Sequence, residues 1–292
     1  MKRFLVIAAS AFSLLAAGWM GLALFPALPN DLGGVESLDR QARRLRIPIA
    51  DGDSLDGWFV PGQARAVVLL FHGYGRTHER AWRYGQFLSR AGYDLLAIDF
   101  RSSRMRGRKP TTLGHYELAD ACAALDWVRS EPSLRDHAIG VLGESLGGAV
   151  ALALAASNPG VAALVVDSGF ATGYLAIEDA FRLWARFPAW PAAPLARKVG
   201  RALTGHDPGR FDLRPAARRL ASRPLFFIHG LEDRRVSPDQ TLTLWRAAGG
   251  KHALWLIPGV GHNEGWAKRR VEYEARVTRF FDRTLLRSGN RS

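Results

Sequence analysis

The sequence has little cysteine and no spacing typical of a metal site. Among its 292 residues Cys122 is the single cysteine, so an internal disulfide is impossible and the redox compartment stays undecided. No His-x-x-x-His or His-Glu-x-x-His pattern places two ligands on one helix face, and we expect no metal site. Cys122 lies at helical spacing from Leu118 and Leu125, which predicts that it packs in the core.

Acidic residues are also scarce. Aspartate and glutamate total 27 against 40 lysines and arginines, which gives a formal net charge of +13. No nucleic-acid-binding module is recognisable, so we expect no nucleic-acid partner. An anionic lipid surface would attract this charge, at about 1 kcal/mol per well-placed cation, and Arg104 to Lys109 is expected to form an exposed basic loop. A general arginine bias without any partner is the alternative.

Long apolar runs are rare, and the clearest one follows Lys2-Arg3 and extends from Phe4 to Leu28. About 20 apolar residues suffice to cross a bilayer. A cleaved signal peptide has a shorter core and then a small-x-small site, whereas Trp19 and Met20 continue the run here. We therefore predict a membrane anchor within residues 1–35, with the remaining chain extracytoplasmic, on the periplasmic side of the inner membrane in a bacterium. Secretion after cleavage is the alternative.

Residues 36–292 are predicted to form one α/β domain, since a body of about 255 residues suits a single core. A hairpin is expected first, followed by strands that alternate with helices, and this alternation indicates a parallel sheet with right-handed crossovers. The hairpin strands are expected at 44–49 and 54–60, the next strands at 66–71, 93–98, 138–142 and 162–166, and the helices at 78–91, 115–130 and 146–157.

The most informative stretch is Gly143-Glu144-Ser145-Leu146-Gly147, between an apolar strand and a helix of small residues. A serine on a sharp strand-to-helix turn exposes its hydroxyl, and glycines are needed beside it because side chains there would collide with the neighbouring backbone. We interpret Ser145 as a nucleophile. The amide that follows it, on Leu146, then becomes one candidate donor to the oxyanion of an acyl-transfer reaction.

A serine nucleophile needs a histidine base and a carboxylate that orients the histidine. Asp233 follows the apolar run 224–228 and is the candidate acid, with Glu232 and Asp239 as nearby rivals. His262 follows the apolar run 253–257 on a glycine-rich loop and is the candidate base. None of the other seven histidines follows the final strand on such a loop; His229, before the acid, is expected to pack at a strand end.

These motifs together resemble those of the α/β-hydrolases, the serine esterases, lipases and S33-type peptidases. His72-Gly73, Asp99-Phe100-Arg101, the serine turn, Gly230-x-x-Asp233 and Gly261-His262 occur in the family's order across about 43–286. The resemblance implies eight mostly parallel strands flanked by helices, a Ser145-Asp233-His262 triad and no cofactor. It also implies that the second oxyanion amide belongs to Tyr74, and that Asp99 is structural. His72 itself is expected to be a buried structural histidine.

The strand pattern disappears between about 172 and 222, where the resembling family carries a helical cap. Phe181, Trp184, Phe187 and Trp190 could line an apolar wall for an acyl group, or could simply pack the cap itself. We predict a serine hydrolase that cleaves carboxylic esters or thioesters of a hydrophobic, lipid-like acyl substrate. A serine peptidase, or a non-catalytic binding protein with the same fold, is the alternative.

Overall fold

The sheet is the frame on which the candidate site is built. The computed structural model describes residue 18 and residues 21–26, 41–50, 52–103, 109–185 and 189–286. The eight strands within these ranges form one sheet in the order β1-β2-β4-β3-β5-β6-β7-β8. They are β1 (Arg43–Pro48), β2 (Ser54–Val60), β3 (Ala66–Phe71), β4 (Asp94–Ile98), β5 (Ala138–Glu144), β6 (Val161–Asp167), β7 (Leu225–Gly230) and β8 (Ala253–Ile257).

Helices cover both faces of this sheet. In the described residues they are α1 (His78–Arg90), α2 (His115–Ser130), α3 (Leu146–Ser157), α4 (Gly173–Ala180), α5 (Ala189–Thr204), α6 (Arg214–Arg219), α7 (Pro238–Ala247), α8 (Gly265–Lys268) and α9 (Arg270–Phe281). Short 3₁₀ turns span Arg101–Ser103 and Pro208–Arg210, and π-helical turns span Phe181–Ala185 and Asp282–Leu286.

The predicted fold class, an α/β-hydrolase fold with a mostly parallel eight-stranded sheet, is confirmed. β2 pairs antiparallel with β1 and with β4, and the other neighbouring strands pair in parallel. The main difference is that β5 extends two residues beyond the expected end at Leu142, because Gly143 pairs with Val166 and Glu144 with Asp167. The serine turn therefore starts at the last paired residue of a central strand.

Two apolar layers, one on each side of the sheet, fix its position. Every residue of β3 and β4 is buried, as expected for parallel strands covered on both faces. The first ten residues of α3 are also buried, and small side chains allow this helix to lie close to the sheet. The helix that follows Ser145 is thus held on several sides, which keeps the serine in a fixed place.

The cap was expected in the stretch between β6 and β7. The described residues of this stretch form helices and no strand. This stretch contains α4, the π-helical turn, α5, the second 3₁₀ turn and α6. We call residues 172–222 the cap segment. Phe187 lies outside the described residues, as do residues 104–108 of the expected basic loop and most of the apolar run from Phe4 to Leu28. In the part of the chain that is described, no helix has the length and apolar character needed to cross a membrane.

Candidate active site

Ser145 occupies a strained turn between β5 and α3. Its φ is 52° and its ψ is −116°, a conformation that costs a non-glycine residue about 1–3 kcal/mol. A Cβ added at Gly143 would lie 2.3 Å from the carbonyl oxygen of Gly147, and one added at Gly147 would lie 2.3 Å from that of Phe71. Only glycine fits at either position, because the obstructing atoms belong to backbone.

The structure brings the three sequence-predicted residues Ser145, His262 and Asp233 into hydrogen-bond contact. The Ser145 hydroxyl lies 3.0 Å from Nε2 of His262, and Nδ1 of His262 lies 2.6 Å from Oδ2 of Asp233. The serine follows β5, the acid follows β7 and the histidine follows β8. Their loops meet because the carboxyl ends of parallel strands share one edge of the sheet. This is the arrangement that a serine nucleophile, its base and an orienting acid require.

Asp233 is held as an anion by the groups around it. Burial opposes the charged form, but hydrogen bonds from His229 and His262 outweigh burial and lower the pKa of this carboxyl well below its usual range. The backbone amides of Arg235 and Val236 donate to Oδ1 at 2.8 and 3.0 Å. Since the carboxylate can only accept, the proton of the neutral His262 ring is placed on Nδ1, which leaves Nε2 free to accept from Ser145.

His229 contacts the acid directly, and the expectation that it only packs at a strand end was incomplete. Its side chain is fully buried, with Nε2 3.1 Å from Oδ2 of Asp233 and 3.0 Å from the carbonyl oxygen of Val236. Nδ1 lies 2.7 Å from the hydroxyl of Thr241. Because both partners of Nε2 are acceptors, Nε2 carries a proton. The one available sequence signal was the four-residue spacing from His229 to Asp233.

The loop after β3 lies beside the serine. A Cβ added at Gly73 would be 3.3 Å from the Cβ of Ser145, which is a tighter contact than is usual and shows how closely this loop approaches the serine. Tyr74, the next residue, is half-buried and its hydroxyl donates to the carbonyl of Ala23 at 2.6 Å. Leu146 is the first residue of α3, and the amide of a first helical residue has no carbonyl partner within its own helix.

An ion pair between the partly exposed Arg80 and the buried Glu144 lies beside the serine turn. Nε of Arg80 lies 3.5 Å from Oε1 of Glu144, and a second nitrogen of the guanidinium donates to the carbonyl of Asn263 at 3.3 Å. Burial raises the pKa of Glu144, although the charge of Arg80 opposes this. Through Arg80, helix α1 is therefore tied both to the residue before the nucleophile and to the residue after the base.

The rival residues lie elsewhere or have structural contacts. Glu232 accepts from the amide of Val260 at 2.7 Å, and Asp239 stands in the first turn of α7. Asp99 accepts from the ring of His78 at 3.0 Å. Glu232 and Asp99 thus make their contacts outside the hydrogen-bonded series Ser145–His262–Asp233.

The remaining sequence predictions concern His72, Cys122 and metals. His72 is buried, and its Nε2 accepts from the amide of Phe100 at 3.1 Å. Burial lowers the pKa of its ring, so the ring is suited to be a neutral acceptor. Cys122 is partly buried and packs against the core cluster that covers one face of the sheet. Within the described ranges, no group of three His, Cys, Asp or Glu residues could hold a metal ion.

The family follows from comparison with known proteins. The sequence model of the prolyl oligopeptidase family, Peptidase S9, matches residues 81–288, which is well over half of the chain. The chain belongs to the prolyl oligopeptidase family.

Two bacterial relatives match over most of their own length. The chain is 30% identical over 227 residues to the uncharacterized protein Rv2307c of Mycobacterium tuberculosis, with 76% of this chain and 73% of that protein covered. It is 25% identical over 239 residues to the uncharacterized protein YqkD of Bacillus subtilis, with 81% and 78% covered.

Solved structures show the same fold. The esterase Pf2001 of Pyrococcus furiosus superposes with a TM-score of 0.74 at 24% identity, over 89% of this chain and 98% of that one. The acylaminoacyl peptidase of Pyrococcus horikoshii gives a TM-score of 0.64 at 18% identity, over 87% of this chain and 44% of that one. Together with the family membership, this supports a serine hydrolase of the α/β fold.

The substitution Gly147→Ala should disrupt the serine turn. The added Cβ would overlap the backbone of β3, so we expect a loss of about 2 kcal/mol or more in the free energy of unfolding, together with loss of hydrolytic activity. Urea unfolding of the full chain in detergent checks this. Gly21→Ala, whose Cβ would meet nothing within 4 Å, is the matched control. Equal stability of the two variants would contradict the close packing at Gly147.

The substitution His229→Leu should impair the site without unfolding it. It removes a hydrogen bond that holds Oδ2 of Asp233 in place beside His262, so the carboxylate should orient the imidazole less well and kcat should fall about 10- to 100-fold. More negative charge then remains on Asp233 beside His262, and the acidic limb of the pH–rate profile should move to higher pH.

His229→Gln, which keeps a donor, should restore part of both properties. Circular dichroism separates this effect from misfolding. An unchanged pH profile in folded His229→Leu would reduce His229 to a packing residue.

Proposed function

We propose that the protein is a membrane-anchored esterase that cleaves carboxylic esters or thioesters of hydrophobic acyl groups. The observation that supports this proposal most directly is the hydrogen-bonded series Ser145–His262–Asp233 on a strained turn. In the proposed reaction all three residues are catalytic.

The first half of the reaction forms an acyl-enzyme. The Ser145 oxygen attacks the carbonyl carbon while Nε2 of His262 takes the serine proton. The tetrahedral intermediate then expels the alcohol, or the thiol, which leaves with that proton. Asp233 stays ionised and stabilises the imidazolium that exists between these two transfers. The pKa of Asp233, lowered by its two histidine donors, suits this role.

The second half releases the acid. A water molecule gives one proton to His262 and attacks the acyl carbon. The second tetrahedral intermediate then collapses to a carboxylic acid, and His262 returns the proton to the leaving oxygen of Ser145. In both halves the carbonyl oxygen becomes negative. The backbone amides of Tyr74 and Leu146 are the donors we assign to it, and removal of one such donor typically costs about 10²- to 10³-fold in rate.

An ester substrate is favoured over a peptide with a free amino terminus by the carboxylates of α4. Asp179 accepts from the amide of Ser237 at 3.3 Å and from the side chain of Gln240 at 2.7 Å. Glu178 lies 3.8 Å from Arg182. Both carboxylates of α4 are thus already engaged, whereas recognition of an ammonium group needs an available one.

A peptidase remains the second candidate function, because the family is named for prolyl oligopeptidase and a similar structure is an acylaminoacyl peptidase. An N-acylated peptide would not require a carboxylate for its amino end.

The aromatic residues of the cap segment could line an apolar wall or pack the cap itself. Phe181 is buried within the cap's own apolar cluster, and Trp190 is 76% exposed. Phe181 thus has the packing role that the sequence left open.

The location of the enzyme is part of the proposal. We infer from the apolar run at Phe4 to Leu28, preceded by Lys2-Arg3, that residues 1–35 anchor the protein and that the hydrolase domain is extracytoplasmic. The substrate would then be an ester that reaches the outer face of that membrane.

A substrate panel tests ester against peptide cleavage. The full chain in detergent should hydrolyse p-nitrophenyl esters from acetate to dodecanoate. It should hydrolyse anilides of amino acids with a free amino group much more slowly. Ser145→Ala should lower ester turnover at least about 10³-fold, whereas the control Ser130→Ala, at an exposed serine, should not. Cleavage of the anilides without ester turnover would overturn the esterase proposal in favour of a peptidase.

A further inference from the structure

The end of the N-terminal apolar run contacts a loop of the candidate site. Residues 21–24 are helical, and Leu24 is 2% exposed. The carbonyl of Ala23 accepts from the hydroxyl of Tyr74 at 2.6 Å, and the carbonyl of Leu24 accepts from the amide of Thr111 at 2.9 Å. Tyr74 belongs to the loop that we assign to the oxyanion. Residues 21–26 therefore connect the anchor to the active-site loops.

The same residues also hold the cap segment. Leu24 belongs to an apolar cluster whose other members come from α4, the following π-helical turn and α5, namely Ile177, Phe181, Ala192, Ala193 and Ala196. This cluster is separate from the two core clusters that cover the sheet. One buried leucine of the N-terminal segment thus joins the cap segment to the anchor.

Large apolar side chains are exposed around this cluster. Leu22 is 77% exposed, Phe25 is 46% exposed and Trp190 is 76% exposed. Leu22 and Phe25 flank the buried part of the segment, and Trp190 lies two residues before Ala192, the first of the three α5 alanines in the cluster. We call these three residues the cap corner. Exposed apolar side chains on two segments that pack against each other indicate a binding surface.

Positive charge accompanies the cap corner. Lys198 and Arg201 are exposed on α5, the helix that begins beside Trp190. Neither makes an ion pair with a residue that the structure describes. Exposed tryptophan on a helix that also carries exposed cations matches the interface of an anionic bilayer, where tryptophan is enriched and cations meet phosphate groups.

The length of the apolar run places the bilayer at this point. Residues 21–26 contact the folded domain through Ala23 and Leu24, which leaves Phe4 to Met20, 17 residues, to cross the hydrocarbon core. As a helix these would span about 26 Å, against about 30 Å for the core. No residue is left over for a spacer. If the run crosses the membrane, the bilayer surface must lie at residue 21, against the cap corner.

We propose that the cap corner formed by Leu22, Phe25 and Trp190 docks on the surface of an anionic phospholipid bilayer and holds the mouth of the active site there. This proposal rests on the proposed anchor. It goes beyond anchoring because it orients the domain: the cap segment faces the lipid, and acyl substrates pass from the bilayer to Ser145 without crossing water.

Depth-dependent quenching tests the orientation. The full chain, in a Cys122→Ala background, is reconstituted in nanodiscs of phosphatidylcholine and phosphatidylglycerol with an environment-sensitive fluorophore on Trp190→Cys. The control site is Asp136→Cys, which is 78% exposed and precedes β5 at the end opposite Ser145. We expect a blue-shifted emission and quenching by doxyl lipid at position 190, and neither at position 136.

Several outcomes would overturn the docking proposal. Equal quenching at both positions would mean that the domain has no fixed orientation, and no quenching at either would mean that it stands away from the lipid. A blue shift at position 190 that depends on protein concentration, without lipid quenching, would assign the cap corner to a second copy of the chain. A water-soluble short ester is assayed on the same samples, so loss of the proposed hydrolase activity is seen separately from loss of docking.

A kinetic readout supports the spectroscopic one. Trp190→Ser should lower turnover of a long-chain ester carried in the nanodisc about 10-fold and leave turnover of the short soluble ester unchanged. Val271→Ser, at an 85% exposed valine on α9, is the matched control and should change neither. Equal effects of Trp190→Ser on both esters would contradict a role in delivering lipid-borne substrate.

Discussion

The turn through Ser145 is the constraint on which the rest of the site depends. Its positive φ is unfavourable for a serine, and it persists because the amide of Ser145 donates to the carbonyl of Asp167 at 2.7 Å while α3 is buried along most of its length. Glycine on either side allows β3, β5 and α3 to approach closely. The packing of the sheet thus stabilises a local conformation that exposes a reactive hydroxyl.

Three carboxylates near this turn differ in their environments. Asp233 receives hydrogen bonds from two histidines and two amides, which lower its pKa. Burial raises the pKa of Glu144 and Asp167, and the hydroxyl of Tyr273 donates to Asp167 at 3.0 Å. Environment thus shifts the pKa of the acid that must stay ionised beside His262 downward, and shifts the pKa values of its two buried neighbours upward.

Much of the site could be predicted from sequence because its signals are local. A glycine-flanked serine after an apolar strand, and an acid and a histidine after later strands, are readable from spacing. The role of His229 could not be predicted from spacing, because every residue of β7 is buried and burial alone does not reveal a hydrogen bond to Asp233.

The same limit applies to the N-terminal segment and the cap segment. The docking of Leu24 on α5 depends on packing between residues about 170 positions apart, and no periodicity encodes such a contact. The helices of the cap segment were not placed in advance either, because prolines and arginines interrupt the apolar pattern there.

The central claim is that Ser145 is an activated nucleophile, and labelling with a fluorophosphonate probe tests it most directly. Intact-mass analysis of the full chain in detergent should show one adduct on the wild type, and none on Ser145→Ala or His262→Ala. Peptide mapping should place that adduct on Ser145. A folded wild type that remains unlabelled, or an adduct that persists in Ser145→Ala, would contradict the account.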